Sequence, residues 1–351
     1  MFMGSYVKYS CIILLTVLFG CSNGESSVST IKVDMSMVKS LDLQLPHVST
    51  IAIQSENIGL IRQFEVKDSI ALMRTDKVLS FNVNTGKQIT EYSRRGRAND
   101  EYLSAWNVGF EDGMIYIYDM NAKKVMYFSY NGDLKYIKTT PLNTQGKPFQ
   151  QMISYKDKYI GQRVFGVDHI PELALYDSNF VYIADVSDFI LRSSNSFGSR
   201  FYKNYKGGIL FNRAFLNDIY EVSDKAATIR YIVDFGEYSI PNLYDYTDEI
   251  EIIQFINKKN NKFATLINNI YESANYIGFS CLFGDKGLKA DKVICIYDKS
   301  SEEAMSFLIK TEDTIIQQIV FDNDIVYILH DNERGDCFLS RLHIDTLMGA
   351  V

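Results

Sequence analysis

Six times along the chain one cadence returns: a β-rich run, a turn, a second β-rich run that often ends in Asp, and a turn into a third. The clearest copy is MIYIYDMNAKKVMYFSYNGDLKYIKTTPL, residues 114–142. There Ile115 and Ile117 alternate with Tyr116 and Tyr118, residues 119–123 turn the chain, 125–130 form the next strand, and Asn131-Gly132 marks a hairpin before a third strand at 134–139. The other copies lie at 69–93, 152–186, 208–236, 276–309 and 319–345. A spacing of roughly 35–50 residues is that of propeller blades, each a small antiparallel sheet. One such meander alone leaves a sheet face wet, whereas six stacked in a ring cover both faces of each and expose only short edges. The expected fold is therefore all-β, a six-bladed β-propeller. Residues 31–57, with strand-like Ile31–Val33 and Thr50–Gln54, are expected to join the last blade to the first.

Composition agrees, with 24 Tyr and 22 Phe against 5 Pro, as pleated, half-buried surfaces require. One segment departs from the cadence. Across 241–275 the turns are few, and Phe263, Leu266, Ile267, Ile270 and Tyr271 recur at helical spacing, with 248–257 reading as a second short helix. A helical insertion over about 241–275, between blades four and five, is expected to plug or cover the ring or to act as a ligand lid.

The first residues have a different character. Lys8 precedes an apolar run from Cys11 to Gly20, too short to span a bilayer and typical of a secretory signal. Leu18-Phe19-Gly20-Cys21 resembles a bacterial lipobox, which implies removal of residues 1–20 and lipidation of Cys21; a plain cleaved signal or an uncleaved anchor is the alternative. Residues 21–30 would be a flexible tether and 31–351 the propeller. The implied location is the cell envelope, with a lipid anchor in the membrane, the outer membrane being expected, facing either the periplasm or the surface.

Acidic residues outnumber basic ones by 43 to 36, and loss of Lys8 with the leader moves the net charge from −7 to −8, which excludes nucleic acid as an expected partner. Arg94, Arg95 and Arg97 form the one dense basic cluster, followed at once by Asp100 and Glu101. It reads as a solvated turn with local ion pairs or as a site for an anionic ligand. Trp106, the single Trp, stands close by.

The six units, the lipobox and the stretch SRRGRANDEYL (93–103) together resemble the TolB-like six-bladed β-propeller lipoproteins. That family often carries a stretch of the kind G-(R/K)-x-G-x-G-P-x-E-Y between its first two blades. Arg95-Gly96-Arg97 and Glu101-Tyr102 match the ends of the pattern, while Ala98, Asn99 and Asp100 replace its Gly-Pro centre. The resemblance implies the fold and supplies no catalytic residue.

Motifs for chemistry are sparse. His47, His169, His330 and His343 are scattered, so no metal site is expected, and neither a nucleophile elbow nor a phosphate-cradling loop occurs. No cofactor is expected. Asp119, Asp177, Asp185, Asp234 and Asp298 sit near strand ends, where they either bond to turn backbone or converge on the central channel as an acid and base. Cys281 and Cys295 flank a turn-rich stretch whose midpoint is Leu288, so they could face each other as a disulfide or as a reduced pair; Cys337 completes the thiols of the folded part. The function expected is a non-catalytic binding or scaffold module for a protein, peptide or glycan, with Arg94, Arg95, Arg97, Glu101, Tyr102 and Trp106 as candidate contacts. A carbohydrate- or lactone-directed hydrolase or lyase using channel Asp residues is the alternative.

Overall fold

The computed structural model describes residues 28–55, 58–92, 95–140, 149–163, 171–189, 200–246, 249–258, 262–309 and 314–349. The signal segment, Cys21, Arg94 and His169 lie outside them. Three short strands come first: β1 (Ser29–Lys32), β2 (Lys39–Leu41) and β3 (Ser49–Ala52). Blade one follows as β4 (Gln63–Lys67), β5 (Ile70–Arg74), β6 (Val78–Asn82) and β7 (Gln88–Glu91). Blade two is β8 (Asn107–Glu111), β9 (Met114–Asp119), β10 (Lys124–Phe128) and β11 (Leu134–Thr139), and blade three is β12 (Phe149–Tyr155), β13 (Lys158–Arg163), β14 (Leu173–Tyr176) and β15 (Tyr182–Asp185). Blade four comprises β16 (Arg200–Lys203), β17 (Ile209–Asn212), β18 (Asp218–Val222) and β19 (Ala227–Asp234). Helix α1 (Glu249–Lys258) precedes blade five, which is β20 (Phe263–Glu272), β21 (Tyr276–Gly284), β22 (Asp291–Asp298) and β23 (Glu303–Ile309). Blade six takes β24 (Thr314–Asp322), β25 (Ile325–Asn332) and β26 (Cys337–His343) from the end of the chain and β3 from its beginning, and a last helix, α2 (Ile344–Gly349), follows β26. The molecule is the six-bladed β-propeller that the repeat requires.

Blade two shows why the repeat closes into a ring. On one face Ile115, Ile117, Met126 and Phe128 pack with Leu72, Val78 and Tyr92 of blade one. On the other, Tyr118, Val125 and Tyr127 pack with Phe149, Tyr159 and Tyr176 of blade three. Strand alternation thus sends successive side chains into two different inter-blade cores, and each fully buried Ile or Phe contributes about 1.5–3 kcal/mol.

Closure is made by β3, which runs antiparallel to β26 with Ala52 opposite Phe338 and Ser49 opposite Arg341. The chain then reaches blade one, where Gln54 bridges Lys87 and its N–H donates to the Gly86 carbonyl at 2.8 Å. Gly86 has φ +68°, and a Cβ there would lie 1.9 Å from the Ala52 carbonyl oxygen, so only glycine lets the closing segment pass. The Thr50–Gln54 segment therefore joins the last blade to the first. Ile31–Val33 does not. It pairs parallel with β19 on the outer edge of blade four, as β2 does with β23 on blade five. The N-terminal segment is a belt around the outside of blades four, five and six, fastened by buried Ile31, Val33, Met35, Leu41 and Leu43.

Among the described residues of the insertion between blades four and five, the helical parts are α1 and a single 3-10 turn at Leu243–Asp245. Glu249 and Glu251 in the first turn of α1 and Lys258 in its last suit the helix dipole, and Ile252 and Ile256 pack onto Leu216, Ile240 and Leu243. Residues 263–272, read from their spacing as helix, form β20, the inner strand of blade five. The cause is a pair of β-bulges. Register shifts fall between Thr265 and Asn268 and between Asn268 and Tyr271, with Leu266 and Asn269 left-handed at φ 57° and 54°. One extra residue at each shift stretches a period of two to three, which imitates helical spacing. Left-handed non-glycine residues cost about 1–3 kcal/mol each and are held only by well-determined surroundings.

Four antiparallel strands return the chain to the end from which it started. In each blade the first and third strands accordingly begin, and the second and fourth strands end, at one end of the ring, the loop-bearing end. Turns from first to second and from third to fourth strand lie at the other, and they are tight: 67–70, 111–114, 155–158 and 322–325 among them.

Candidate functional site

The segment from Arg95 to Trp106 links β7 to β8 and so sits at the loop-bearing end. It is a built structure. Arg95 and Tyr102 form a parallel bridge, and the Gly96 N–H donates to the Tyr102 carbonyl at 2.9 Å. Tyr102 is buried, its hydroxyl donating to the Tyr92 carbonyl at 2.8 Å. Glu101 accepts from the Ala98 N–H at 2.9 Å, and Lys124 donates to the Asn99 carbonyl at 2.7 Å. Tyr102 and Glu101 thereby hold the loop, while Arg95 and Arg97 remain exposed. Trp106 keeps 41 % of its surface exposed.

This loop walls a surface cleft of about 650 Å³ together with the 122–124 turn and β11. Arg97, Glu101, Leu103, Lys124 and Ile137 line it. The structure therefore brings two cations, a carboxylate and two exposed aliphatic side chains to one cleft. Arg95 and Trp106 stand outside its lining.

The five Asp residues singled out from the sequence do not line the described cavities. Asp119 accepts from the N–H groups of Leu103, Asn121 and Ala122, the last two at 3.0 and 2.9 Å. Asp177 accepts from Asn179 and Val181, Asp234 from Gly236, and Asp298 from Ser300. Asp185 pairs with Arg163 at 2.5 Å. Their oxygens satisfy turn backbone or a neighbouring cation, which is the physical reason Asp favours such positions.

The channel carries other charges. At the end where the inner strands finish, Glu65, Glu111, Asp322, Lys67 and Lys203 line a cavity of about 280 Å³ with Tyr116 and Tyr202. Burial raises the Glu65 carboxyl above the usual range, partly offset by the Arg200 charge and a bond from Gln63. It raises Glu111 as well, against bonds from Tyr159 and Tyr127, each at 3.2 Å. Asp322 is pushed up to about 6 by burial, although the Asp68 N–H donates to it at 2.9 Å. Toward the loop end, burial and the neighbouring Arg200 and Arg62 bring Arg74 down to about 10.

Of these channel residues, Glu65, Glu111, Lys67 and Lys203 were not singled out from the sequence. The units recognised at 69, 114, 208 and 276 begin on the second strand of their blades, one strand late. Aligning each unit by its short polar first strand, QFEVK or NVGFE, would have exposed Glu65 and Glu111.

The cysteines lie in one hairpin, but its centre is Gly287, left-handed at φ +56°, rather than Leu288. Cys281 therefore opposes Val293 and Cys295 opposes Phe279, leaving the two thiols diagonal with sulfurs 3.8 Å apart. Burial, followed by the adjoining Cys281, raises the Cys295 thiol well above its ordinary value. His330 is stacked on Phe338 and bonded to Ser340 at 2.8 Å, and burial lowers it to about 4.

The sequence profile of DUF4934, a domain of unknown function, matches residues 54–345. The chain belongs to the DUF4934 family. No curated protein is a detectable relative by sequence. Among solved structures, this DUF4934 chain is similar to a presumed exported protein from Bacteroides fragilis, with TM-score 0.67 and 14% identity over 89% of this chain and 99% of that one. It is also similar to a DUF4221 family member from Bacteroides vulgatus, with TM-score 0.57 and 9% identity over 84% and 95% of the two chains. At such identities the likeness is one of fold.

Proposed function

We propose that the protein is an extracytoplasmic lipoprotein, anchored at Cys21, that acts as a non-catalytic binding module for a protein, peptide or glycan. The observation that carries this reading is the cleft beside residues 96–103 at the loop-bearing end, with Arg97 and Lys124 next to exposed Leu103 and Ile137. Cations beside aliphatic surface suit a ligand with both polar and apolar parts, and a volume near 650 Å³ falls in the ordinary range of about 300–1,000 Å³ for ligand sites. Exposed Trp106 adds an amphipathic ring of the kind that anchors partners. β1 pairs with β19 on the outer edge of blade four, so a tether from Cys21 would meet the ring at its side. The presumed export of the Bacteroides fragilis neighbour agrees with this location.

The test is capture from solubilised cell envelopes by the wild type and by an Arg97→Ala/Trp106→Ala double variant of unchanged melting temperature. The double variant should retain less than about a tenth of a specifically captured component, a difference of about 1.4 kcal/mol or more. Equal capture by both would remove the cleft from the account.

One observation favours the enzymatic alternative, in altered form. Glu65 and Glu111, on adjacent inner strands and both above the usual carboxylate range, line one cavity. A carboxylate pair is the equipment of glycoside hydrolysis. Turnover of a glycoside or lactone that disappears in Glu65→Gln or Glu111→Gln would establish it, and turnover untouched by both would dismiss it.

A further inference from the structure

A second cavity, about 260 Å³, lies toward the loop end and is lined from the inner strands of blades four, five and six together with β21, β22 and the turn between them. Its polar lining is Arg200, Asn268, Asn269, Ser280, Lys292 and Gln318, with no Asp or Glu among the described residues. Two cations reach it from different blades. Lys292, near the start of β22, donates to the backbone carbonyls of Ile316, at 3.0 Å, and Gln317. That occupies two of the three ammonium donors and leaves one for the cavity. No carboxylate among the described residues pairs with the ammonium, and burial lowers it to about 8. Arg200 opens β16; its guanidinium makes no hydrogen bond or ion pair with any described residue, and Glu65 is the acid that feels its charge.

The backbone at this place is shaped at a cost. The two bulges of β20 bracket Asn268 and leave Asn269 left-handed, and both side chains border the cavity. The Asn269 amide donates to Ser280 at 3.1 Å, and the Asn269 N–H donates to the Tyr202 hydroxyl at 2.9 Å, so the strained turn is pinned from two sides. Bulges re-aim side chains next to binding sites, and strain held in this way accompanies function.

We propose that this cavity binds a small hydroxylated carboxylate, a sugar acid of the hexuronate class, with Arg200 and Lys292 on the carboxylate and the amides of Asn268, Asn269 and Gln318 on the hydroxyls. The guanidinium fork matches a carboxylate in two parallel bonds. An amino acid of similar size would bring an ammonium with no acid in the lining to receive it, and an unpaired desolvated charge is strongly unfavourable. The cavity lies below the range of drug-sized sites, about 300–1,000 Å³, which suits a single sugar ring. This site is separate from the cleft at Arg97 and does not depend on it.

Isothermal titration of the full chain with D-glucuronate and D-galacturonate tests the assignment, with D-glucose, L-alanine and inorganic phosphate as comparison probes. At least one hexuronate should bind about tenfold or more tightly than any of the three. Lys292→Met and Arg200→Gln, each with a melting temperature at or above that of the wild type, should weaken it by about tenfold or more, while Arg97→Ala/Trp106→Ala leaves it unchanged. If Lys292→Met does not fold, Arg200→Gln carries the test, since that side chain holds no described partner. Absence of heat with both hexuronates would overturn the proposal. So would phosphate or alanine binding equally well, or folded Lys292 and Arg200 variants that bind like the wild type.

Discussion

Glu272 joins two blades at a single side chain with no exposed surface. It accepts from Arg230 at 2.7 Å, Lys299 at 2.9 Å and the Tyr231 hydroxyl at 2.8 Å. Burial alone would raise its carboxyl, and the bonds from Lys299, Arg230 and Tyr231 overcome that and hold it below the ordinary 4.5. Its contribution to stability is therefore full above about pH 4.5 and is lost as pH falls through the lower folded value. Glu272→Ala strands two cations that retain some water, and should cost near the lower end of about 3–5 kcal/mol in chemical denaturation. Asp322 has the opposite sign. With the folded value raised to about 6 from 3.8, its protonated form is favoured, so stability is greatest below 3.8 and declines as pH rises through 6. Asp322→Asn, still able to accept from the Asp68 N–H, should be more stable than the wild type at pH 8 by about 1 kcal/mol, allowing for solvent screening. The difference should close at pH 4. The pairing of Glu272 does not stand out in the sequence, because a charged residue at a strand end reads as solvated until its neighbours in other blades are known. The turn-forming role of Asp177, Asp234 and Asp298 was legible, because their partners lie two to four residues away.

Strands were legible to the degree that both their faces are buried. β9, β13, β17, β21 and β25 stand second in their blades, carry dense apolar or aromatic runs, and announce the repeat. Inner strands such as β4, β8 and β16 border the channel, mix charges with few aliphatics, and give no clean alternation. The sequence reading therefore counted the blades correctly but began most of them one strand late. β20 was missed for a different reason, since two bulges gave a strand the spacing of a helix. A consequence follows for Asn269. Its left-handed φ of 54° suits glycine or asparagine, so Asn269→Gly should change stability by less than about 1 kcal/mol, whereas Asn269→Val should cost about 1–3 kcal/mol. Equal effects of the two in urea titration would mean that the bulge is not held. Gly86 is the matching position at closure. Gly86→Ala drives a methyl into the Ala52 carbonyl and should lower the melting temperature by several degrees, with an earlier loss of protection in β3 by hydrogen exchange.

At the scale of the molecule, the ring is closed by its own N-terminal segment, which first runs around the rim of blades four and five and then completes blade six. This fixes where a lipid tether would leave, on the side of the ring rather than at a mouth, and it separates a loop-bearing end from an end of tight turns. The central functional claim is that partners meet the loop-bearing end. Two exposed rings report on the two ends: Trp106, ahead of β8, and Tyr205, in the turn between β16 and β17, which keep 41 % and 48 % of their surface. Hydroxyl-radical footprinting compares the rate of oxidation of each in the purified protein and in intact envelopes. The account predicts that Trp106 is oxidised several-fold more slowly in the envelope while Tyr205 keeps its rate. Protection of Tyr205 with Trp106 unchanged would contradict it.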